Sequence, residues 1–123
     1  MPWSHGVEYT LSQVDPVLVK RPYFLPYVAF RDFGDYWDVF RNLLAILFGV
    51  ANAAQEERIL DYLDQVGITD SYPVRVLHPI SYPGNKDWRE YNRNNNLNIP
   101  KQYHNSGIWL FVGGFYVATL VKA

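Results

Sequence analysis

Residues 36–51, YWDVFRNLLAILFGVA, decide the fold. Apolar side chains recur in this stretch at intervals of three and four residues, which places them on one face of a helix. They are Trp37, Phe40, Leu43, Leu44, Ile46, Leu47, Val50 and Ala51. The spacing predicts a helix over about residues 36–51, with Asp35 as a candidate N-cap. A chain of 123 residues is near the size of one domain, so this helix is expected to belong to a single core.

A second helix is predicted directly after the first. Asn52 and Gln55 have the spacing of a capping box, and an apolar stripe follows at Ile59, Leu60, Leu63 and Val66. Gly67 is a residue typical of the position just past a helix end. Because almost no linker separates the two helices, residues 35–66 are predicted to form an antiparallel αα-hairpin.

The third helix is predicted over residues 107–122, where the sequence GIWLFVGGFYVATLV is followed by Lys122. Asn105 or Ser106 would cap its start, and Lys122 lies at the negative end of the helix dipole. The apolar run is too short for a confident membrane span, so a buried core helix is favoured and no membrane partner is expected. A helix that is apolar nearly all round must be covered by neighbours. We therefore expect the chain to form a homo-oligomer or to bind an upstream part of the same domain.

The rest of the chain is predicted to be irregular. Pro16, Pro22 and Pro26 argue against a long helix in residues 1–34, so extended segments or a short β-hairpin are expected there. Residues 72–106 are interpreted as a strand, YPVRVL, followed by a long polar loop rich in Pro, Gly and Asn. Loops of this length in compact domains are usually functional or disordered.

Composition excludes several classes of function. The formal net charge is −1, so the chain lacks the basic excess that nucleic-acid binding requires. It contains no cysteine, which excludes disulfides and thiolate chemistry and fits the cytoplasm. The N-terminal residues lack the features of a secretion signal. His5 and His78 are too isolated to indicate a metal site, and no cofactor is expected.

Aromatic residues are abundant, at 17% of the chain with ten Tyr and four Trp. The tyrosine ring is amphipathic and suits wet, concave surfaces. The composition therefore favours a protein that binds a polar ligand.

Three phrases of the sequence carry a family resemblance. They are WDVFRNLLA at residues 37–45, DWR at 87–89 and YHNSGIWL at 103–110. In this order they resemble the C-terminal part of the six-hairpin glycoside hydrolases, especially alkaline and neutral invertases and amylo-alpha-1,6-glucosidase (glycogen-debranching) proteins. The resemblance runs from about Tyr23 to the end. It implies a mainly α fold, a partial α/α six-hairpin toroid of about three barrel helices, with a short irregular β element near the N-terminus.

The resemblance implies hydrolysis of α-glucosides or sucrose, with Asp87 in the place of the family's second catalytic carboxylate. Glycoside hydrolysis uses two carboxyl groups, one of which donates a proton. The family's proton donor lies in an upstream segment with no counterpart here, so the chain is expected to be a catalytic-domain fragment that is inactive alone. Glu90 is a rival carboxylate, and Asp87 could instead be a solvated loop acid.

The resemblance also implies a set of sugar-binding residues around Asp87: Trp88, Arg89, Tyr103, His104, Asn105 and Trp109. His104 and Asn105 could alternatively cap the last helix. The sequence departs from the family pattern at Ser106, which replaces a Gly, and at Leu110, which replaces a Pro. A non-catalytic carbohydrate-binding or assembly module is the alternative function, and a plain interaction protein is a third.

Overall fold

A computed structural model describes residues 2–29, 32–70, 73–95 and 98–123 of the chain. The helices are α1 (Pro2–Lys20), α2 (Val39–Leu47), α3 (Ala53–Gln65), α4 (Glu90–Asn94) and α5 (Leu110–Lys122). The strands are β1 (Val28–Ala29), β2 (Asp32–Phe33), β3 (Trp37–Asp38) and β4 (Leu77–His78). The mainly helical class is confirmed, and the toroidal arrangement stays a prediction.

Two small antiparallel sheets join segments that are irregular elsewhere. β1 pairs with β2, with Val28 opposite Phe33, and this pair is the short β element predicted near the N-terminus. β3 pairs with β4, with Trp37 opposite His78. Of the strand expected over residues 72–77, only Leu77 lies in β4, and Arg75 forms an isolated bridge with Ile108. Residues 71 and 72 are outside the described part of the chain.

The prediction of extended structure is wrong for residues 2–20, which form α1 with Pro16 inside it. A proline within a helix leaves the carbonyl four residues earlier without its N–H donor. Here that carbonyl belongs to Ser12, which is exposed, so water can satisfy it. The helix continues to Lys20, and Arg21 N still donates to Val17 O at 2.9 Å. Because α1 is largely exposed, it tolerates this defect.

α2 is shorter than the predicted helix because β3 occupies its first residues. Its N-cap is Asp38, not Asp35, and the Asp38 side chain accepts a hydrogen bond from Arg41 N at 3.0 Å. Gly49, with φ of +71°, follows the helix end. Because Asp38 caps α2, Asp35 does not cap the helix, and its side chain instead binds Arg21.

α3 begins with the predicted capping box. Asn52 Oδ1 accepts from Gln55 N at 2.9 Å, and Gln55 Oε1 accepts from Asn52 N at 3.0 Å. Gly67 follows the helix with a left-handed φ of +63°. The main helix partner of α2, however, is α5 and not the α3 of the predicted hairpin.

The core lies where α2, α3 and α5 meet β3 and the segment before β4. Its buried apolar side chains include Trp37, Val39, Leu43, Ile46, Ile59, Leu63, Val74 and Val112. Close packing of α5 depends on Gly113, where an added Cβ would lie 2.6 Å from Pro73 Cβ. Lys122 Nζ donates to Ile46 O at 2.7 Å, so the last turn of α5 is joined to the last turn of α2.

Asn42 is a polar residue within this core and is 1% exposed. Its Oδ1 accepts from Phe24 N at 2.8 Å, and its Nδ2 donates to Phe24 O at 3.2 Å and to Asp38 O at 2.9 Å. A buried amide must find partners for its donors and acceptor. Asn42 therefore fixes the segment after α1 against the start of α2.

α5 begins at Leu110, with Trp109 at the N-cap position and no side-chain cap. The predicted caps, Asn105 and Ser106, lie before this position and are buried. Val112, Gly113 and Thr119 face the core, whereas Leu110, Phe111, Val117 and Val121 are among the exposed residues of α5. Among the described residues, no helix combines the length and the apolar character needed to cross a membrane.

Candidate functional site

A cavity of about 590 Å³ opens beside β3 and β4. Three parts of the chain that are distant in sequence contribute to its wall: residues 27 and 35–36, residues 77–91 and residues 98–105. The lining residues are Tyr27, Asp35, Tyr36, Leu77, Pro79, Ile80, Ser81, Tyr82, Asn85, Asp87, Arg89, Tyr91, Asn98, His104 and Asn105. The volume is in the range of small-molecule sites, and the wall mixes phenol rings with carboxyl, amide, guanidinium and imidazole groups.

Asn105 holds two of these segments together. Its Oδ1 accepts from Ser81 N at 2.8 Å, and its Nδ2 donates to Ser81 O at 2.7 Å and to Asn98 O at 2.9 Å. Asn105 is 5% exposed, and these bonds are partly buried. Both N–H groups of its amide are used, and its role here is to shape the cavity and not to cap α5.

Asp87 lies at the cavity wall and is half-buried. Burial raises the pKa of its carboxyl group, and the charges of Asp32 and Asp35 raise it further, while Lys86 and Arg89 oppose the shift. Arg89 lines the same cavity. A carboxyl group with a raised pKa in a cleft is a candidate for proton transfer near neutral pH.

His104 also lines the cavity, and two aromatic rings pack against it from outside. The His104 ring stacks on Trp109 with centroids 5.5 Å apart and an interplanar angle of 9°. The Tyr103 ring contacts His104 edge-on at 4.1 Å, and Trp109 Nε1 donates to Tyr103 O at 3.1 Å. Tyr103 and Trp109 are therefore not part of the cavity wall; they hold the imidazole in place.

Trp88 is likewise absent from the wall. Its side chain is buried, and its Nε1 donates to Glu90 Oε1 at 3.1 Å. Glu90, the rival carboxylate, is the acceptor of this bond and does not line the cavity. Of the carboxyl groups named from the sequence as catalytic candidates, Asp87 is the one that faces the cavity.

Asp35 is a cavity residue that the sequence analysis assigned to helix capping. Arg21 binds it through two hydrogen bonds, Nε to Oδ1 at 2.7 Å and Nη2 to Oδ2 at 2.8 Å. These bonds from Arg21 lower the pKa of Asp35, although partial burial opposes the shift. The cavity therefore contains two carboxyl groups whose pKa values shift in opposite directions.

Four tyrosines of the wall were also not identified as site residues from the sequence: Tyr27, Tyr36, Tyr82 and Tyr91. Burial raises the pKa of Tyr27 and of Tyr36, and the charge of Asp87 contributes to both shifts. Both phenols are thus electrostatically coupled to Asp87 and carry their proton at neutral pH. The sequence feature that could have indicated these four residues was the abundance of tyrosine.

The loop before α5 has an unusual backbone. Asn98, Lys101, Tyr103 and Ser106 all have positive φ values, between 48° and 68°. Non-glycine residues rarely adopt this conformation, and such strain clusters at functional sites. Ser106 is 1% exposed, and its carbonyl accepts from Arg75 Nη1 at 3.0 Å, which anchors the strained loop to the segment before β4.

Comparison with known proteins gives one match. The family model of alkaline and neutral invertase matches residues 28–123, which include every residue of the cavity except Tyr27. Searches among curated proteins and among solved structures found no match to the chain. Because the family model covers most of the sequence, the chain belongs to the alkaline and neutral invertase family.

Proposed function

We propose that the cavity is the sugar-binding part of a glycoside hydrolase active site that acts on sucrose or a related α-glucoside. The observation that carries the proposal is the half-buried carboxyl group of Asp87, whose pKa is raised by burial, in a cavity lined by tyrosines. Family membership supports the same reaction class. The debranching type of substrate is included in this proposal as an α-glucoside.

Asp87 is proposed as the carboxylate that activates water. Glycoside hydrolysis breaks the bond between the anomeric carbon and the bridging oxygen. Ionised Asp87 would take a proton from water as that water attacks the anomeric carbon, and a second carboxyl group would protonate the departing oxygen. We propose that the proton donor comes from an upstream part of the catalytic domain.

The polar wall residues are proposed to bind sugar hydroxyl groups. Arg89, Asn85 and His104 offer donors and acceptors on the same cavity as Asp87. The tyrosine rings offer apolar faces for the C–H surfaces of a sugar, and their hydroxyl groups add polar contacts. In this proposal Tyr103 and Trp109 support His104, and Trp88 supports the Asp87 loop through its bond to Glu90.

The test is hydrolysis of sucrose and of an α-glucoside by this chain mixed with the upstream part of an invertase catalytic domain. Asp87→Asn is expected to abolish activity, because the amide cannot accept a proton from water. Asp61→Asn is the matched control: Asp61 is exposed on α3 and does not line the cavity, so activity should persist. Activity that survives Asp87→Asn would refute the assignment. Sugar binding without hydrolysis in the mixture would instead support a non-catalytic carbohydrate-binding module.

A further inference from the structure

Asp35 and its ion-pair partner Arg21 line two different cavities of the structure. Asp35 lines the main cavity of about 590 Å³, whereas Arg21 does not. Arg21 lines a separate cavity of about 200 Å³ formed by the end of α1 and by α3. The guanidinium group that binds Asp35 therefore belongs to a residue outside the wall of the main cavity.

Arg21 leaves acceptor capacity on the carboxylate of Asp35, a residue of the main cavity wall. An ionised carboxylate has about four lone-pair positions, and a two-bond arginine contact uses one on each oxygen. Arg21 accounts for one bond to Oδ1 and one to Oδ2. One acceptor position on each oxygen is thus left for groups in the main cavity.

The arginine contact also fixes the orientation of Asp35. A two-bond contact holds the plane of the carboxylate and adds geometric specificity. Asp35 lies in the short segment between β2 and β3, where neither strand pairing nor helix capping constrains its side chain. Arg21, 14 residues earlier, is therefore the residue that positions it.

We propose that Asp35 is a substrate-binding residue that accepts hydrogen bonds from sugar hydroxyl groups in the main cavity, with Arg21 as its positioning residue. This inference rests on the proposed function, since it assumes that the cavity binds a sugar. Two adjacent hydroxyl groups of a sugar ring can donate to the two oxygens of one carboxylate. Asp35 thereby adds a carboxylate that binds substrate and is distinct from the proposed water-activating Asp87.

The experiment is calorimetric titration of the chain with sucrose, in parallel with urea unfolding of every variant. Asp35→Asn is expected to weaken sucrose binding at least tenfold, because hydrogen bonds to a charged acceptor are strong. Asp61→Asn, which alters an exposed aspartate of α3 outside both cavities, is expected to leave sucrose affinity unchanged. Unchanged affinity in Asp35→Asn would overturn the inference.

Further variants separate binding from stability. Arg21→Gln is expected to weaken sucrose binding, and Arg21→Lys to recover part of the loss, because the lysine keeps the charge but not the two-bond contact. Should Asp35→Asn fail to fold, Asp35→Glu keeps the charge and is expected to fold while still binding less tightly. A purely structural ion pair would lower stability in these variants without changing the affinity of the folded fraction, and that result would also overturn the inference.

The two proposals can fail separately. If sucrose binding depends on Asp35 but the mixture with the upstream domain part shows no hydrolysis, the proposed function fails and the binding role stands. If Asp87→Asn abolishes hydrolysis while Asp35→Asn keeps affinity and KM, the binding role fails and the proposed function stands. Absence of sucrose binding to the unaltered chain would count against both.

Discussion

The side-chain amide of Asn105 binds both backbone polar groups of Ser81, with Oδ1 2.8 Å from Ser81 N and Nδ2 2.7 Å from Ser81 O. Asn42 makes the same pair of bonds to Phe24, at 2.8 and 3.2 Å. A neighbouring strand would normally supply a donor and an acceptor to such backbone groups. Here each side-chain amide supplies both, and so it fixes a loop that is not paired in a sheet. The Asn105 contact shapes the cavity, while the Asn42 contact lies in the core.

We expect Asn105→Ala and Asn42→Ala to have similar effects on stability but different effects on binding. Each truncation leaves partly buried backbone groups without partners, which costs about 1–3 kcal/mol in the free energy of unfolding. Asn105 lines the cavity and Asn42 does not, so sucrose affinity of the folded protein should fall only in Asn105→Ala. Urea unfolding and calorimetric titration measure the two quantities. Equal sucrose affinities in the two variants would contradict the role given to Asn105.

The adjacent glycines of α5 are expected to respond oppositely to alanine. At Gly113 an added Cβ would meet Pro73, and overpacking of this kind costs about 1–3 kcal/mol. At Gly114 nothing lies within 4 Å of an added Cβ, and alanine favours a helix by about 1 kcal/mol over glycine. Thermal unfolding should therefore show a lower Tm for Gly113→Ala and a higher Tm for Gly114→Ala. Equal shifts would mean that α5 does not pack on Pro73 as described.

Asp87→Asn is expected to stabilise the protein at neutral pH. Because the pKa of Asp87 is raised in the folded state, its carboxyl group favours folding only when protonated. That contribution is fully present below the unfolded pKa of about 3.9 and is lost as pH rises through the folded pKa. The advantage of the Asn variant should thus be largest at pH 7 and shrink toward pH 4. Urea unfolding at both pH values checks this.

Asp35→Asn is expected to show the opposite sign. The hydrogen bonds of Arg21 lower the pKa of Asp35, so this carboxylate stabilises the fold above its unfolded pKa of about 3.9. The contribution is lost as pH falls through the lower folded pKa. The same unfolding experiment should therefore show Asp35→Asn as less stable than the unaltered protein at pH 7. A stabilising effect there would contradict the ion pair.

Ser106→Gly is expected to raise stability by about 1 kcal/mol. Ser106 has a φ of +67°, a conformation that glycine adopts without the steric cost of a Cβ. Ser12→Gly is the control on the exposed helix α1, since Ser12 does not have a positive φ and glycine within a helix lowers stability. The Tm should rise in the first variant and fall in the second. A fall in both would show that the Ser106 side chain contributes more than its backbone costs.

We propose that the exposed apolar residues of α5 bind a second copy of the chain. The helix carries Lys122 as its single charged residue, so an identical apolar surface is a better match than a charged partner. Sedimentation at micromolar concentration should show a species larger than the monomer, and Val121→Glu should reduce it. Val19→Glu on α1 is the control, because Val19 is 84% exposed and Val121 82%. A monodisperse monomer for the unaltered chain would refute this proposal.

Local sequence signals predicted local structure well. The Asn52–Gln55 capping box and Gly67 act over a few residues, and both lie where the pattern placed them. The proline rule failed at Pro16 because the exposed face of α1 lets water replace the lost hydrogen bond. Local pattern alone therefore gave α2, α3 and α5, but it missed α1 because it overestimated the effect of one proline, and it missed the short α4.

The cavity could be predicted only in part, because its wall comes from three separate segments. The DWR and YHN phrases gave Asp87, Arg89, His104 and Asn105, all of which line it. Asp35 was assigned to capping because its partner Arg21 is distant in sequence and meets it only in the folded chain. For the same reason, a sequence pattern could not show that Trp88 and Trp109 lie behind the wall.

The contact between α2 and α5 has a consequence for synthesis of the protein on the ribosome. The end of α2 at Leu47 and the start of α5 at Leu110 are 63 residues apart, since 110 − 47 = 63. At a translation rate of about 5–20 residues per second, synthesis of α5 begins roughly 3–13 s after synthesis of α2 ends. During that interval the α5-facing side of α2 is exposed in the nascent chain. Chaperone capture of the growing polypeptide should therefore be strongest after α2 leaves the exit tunnel and should end once α5 emerges.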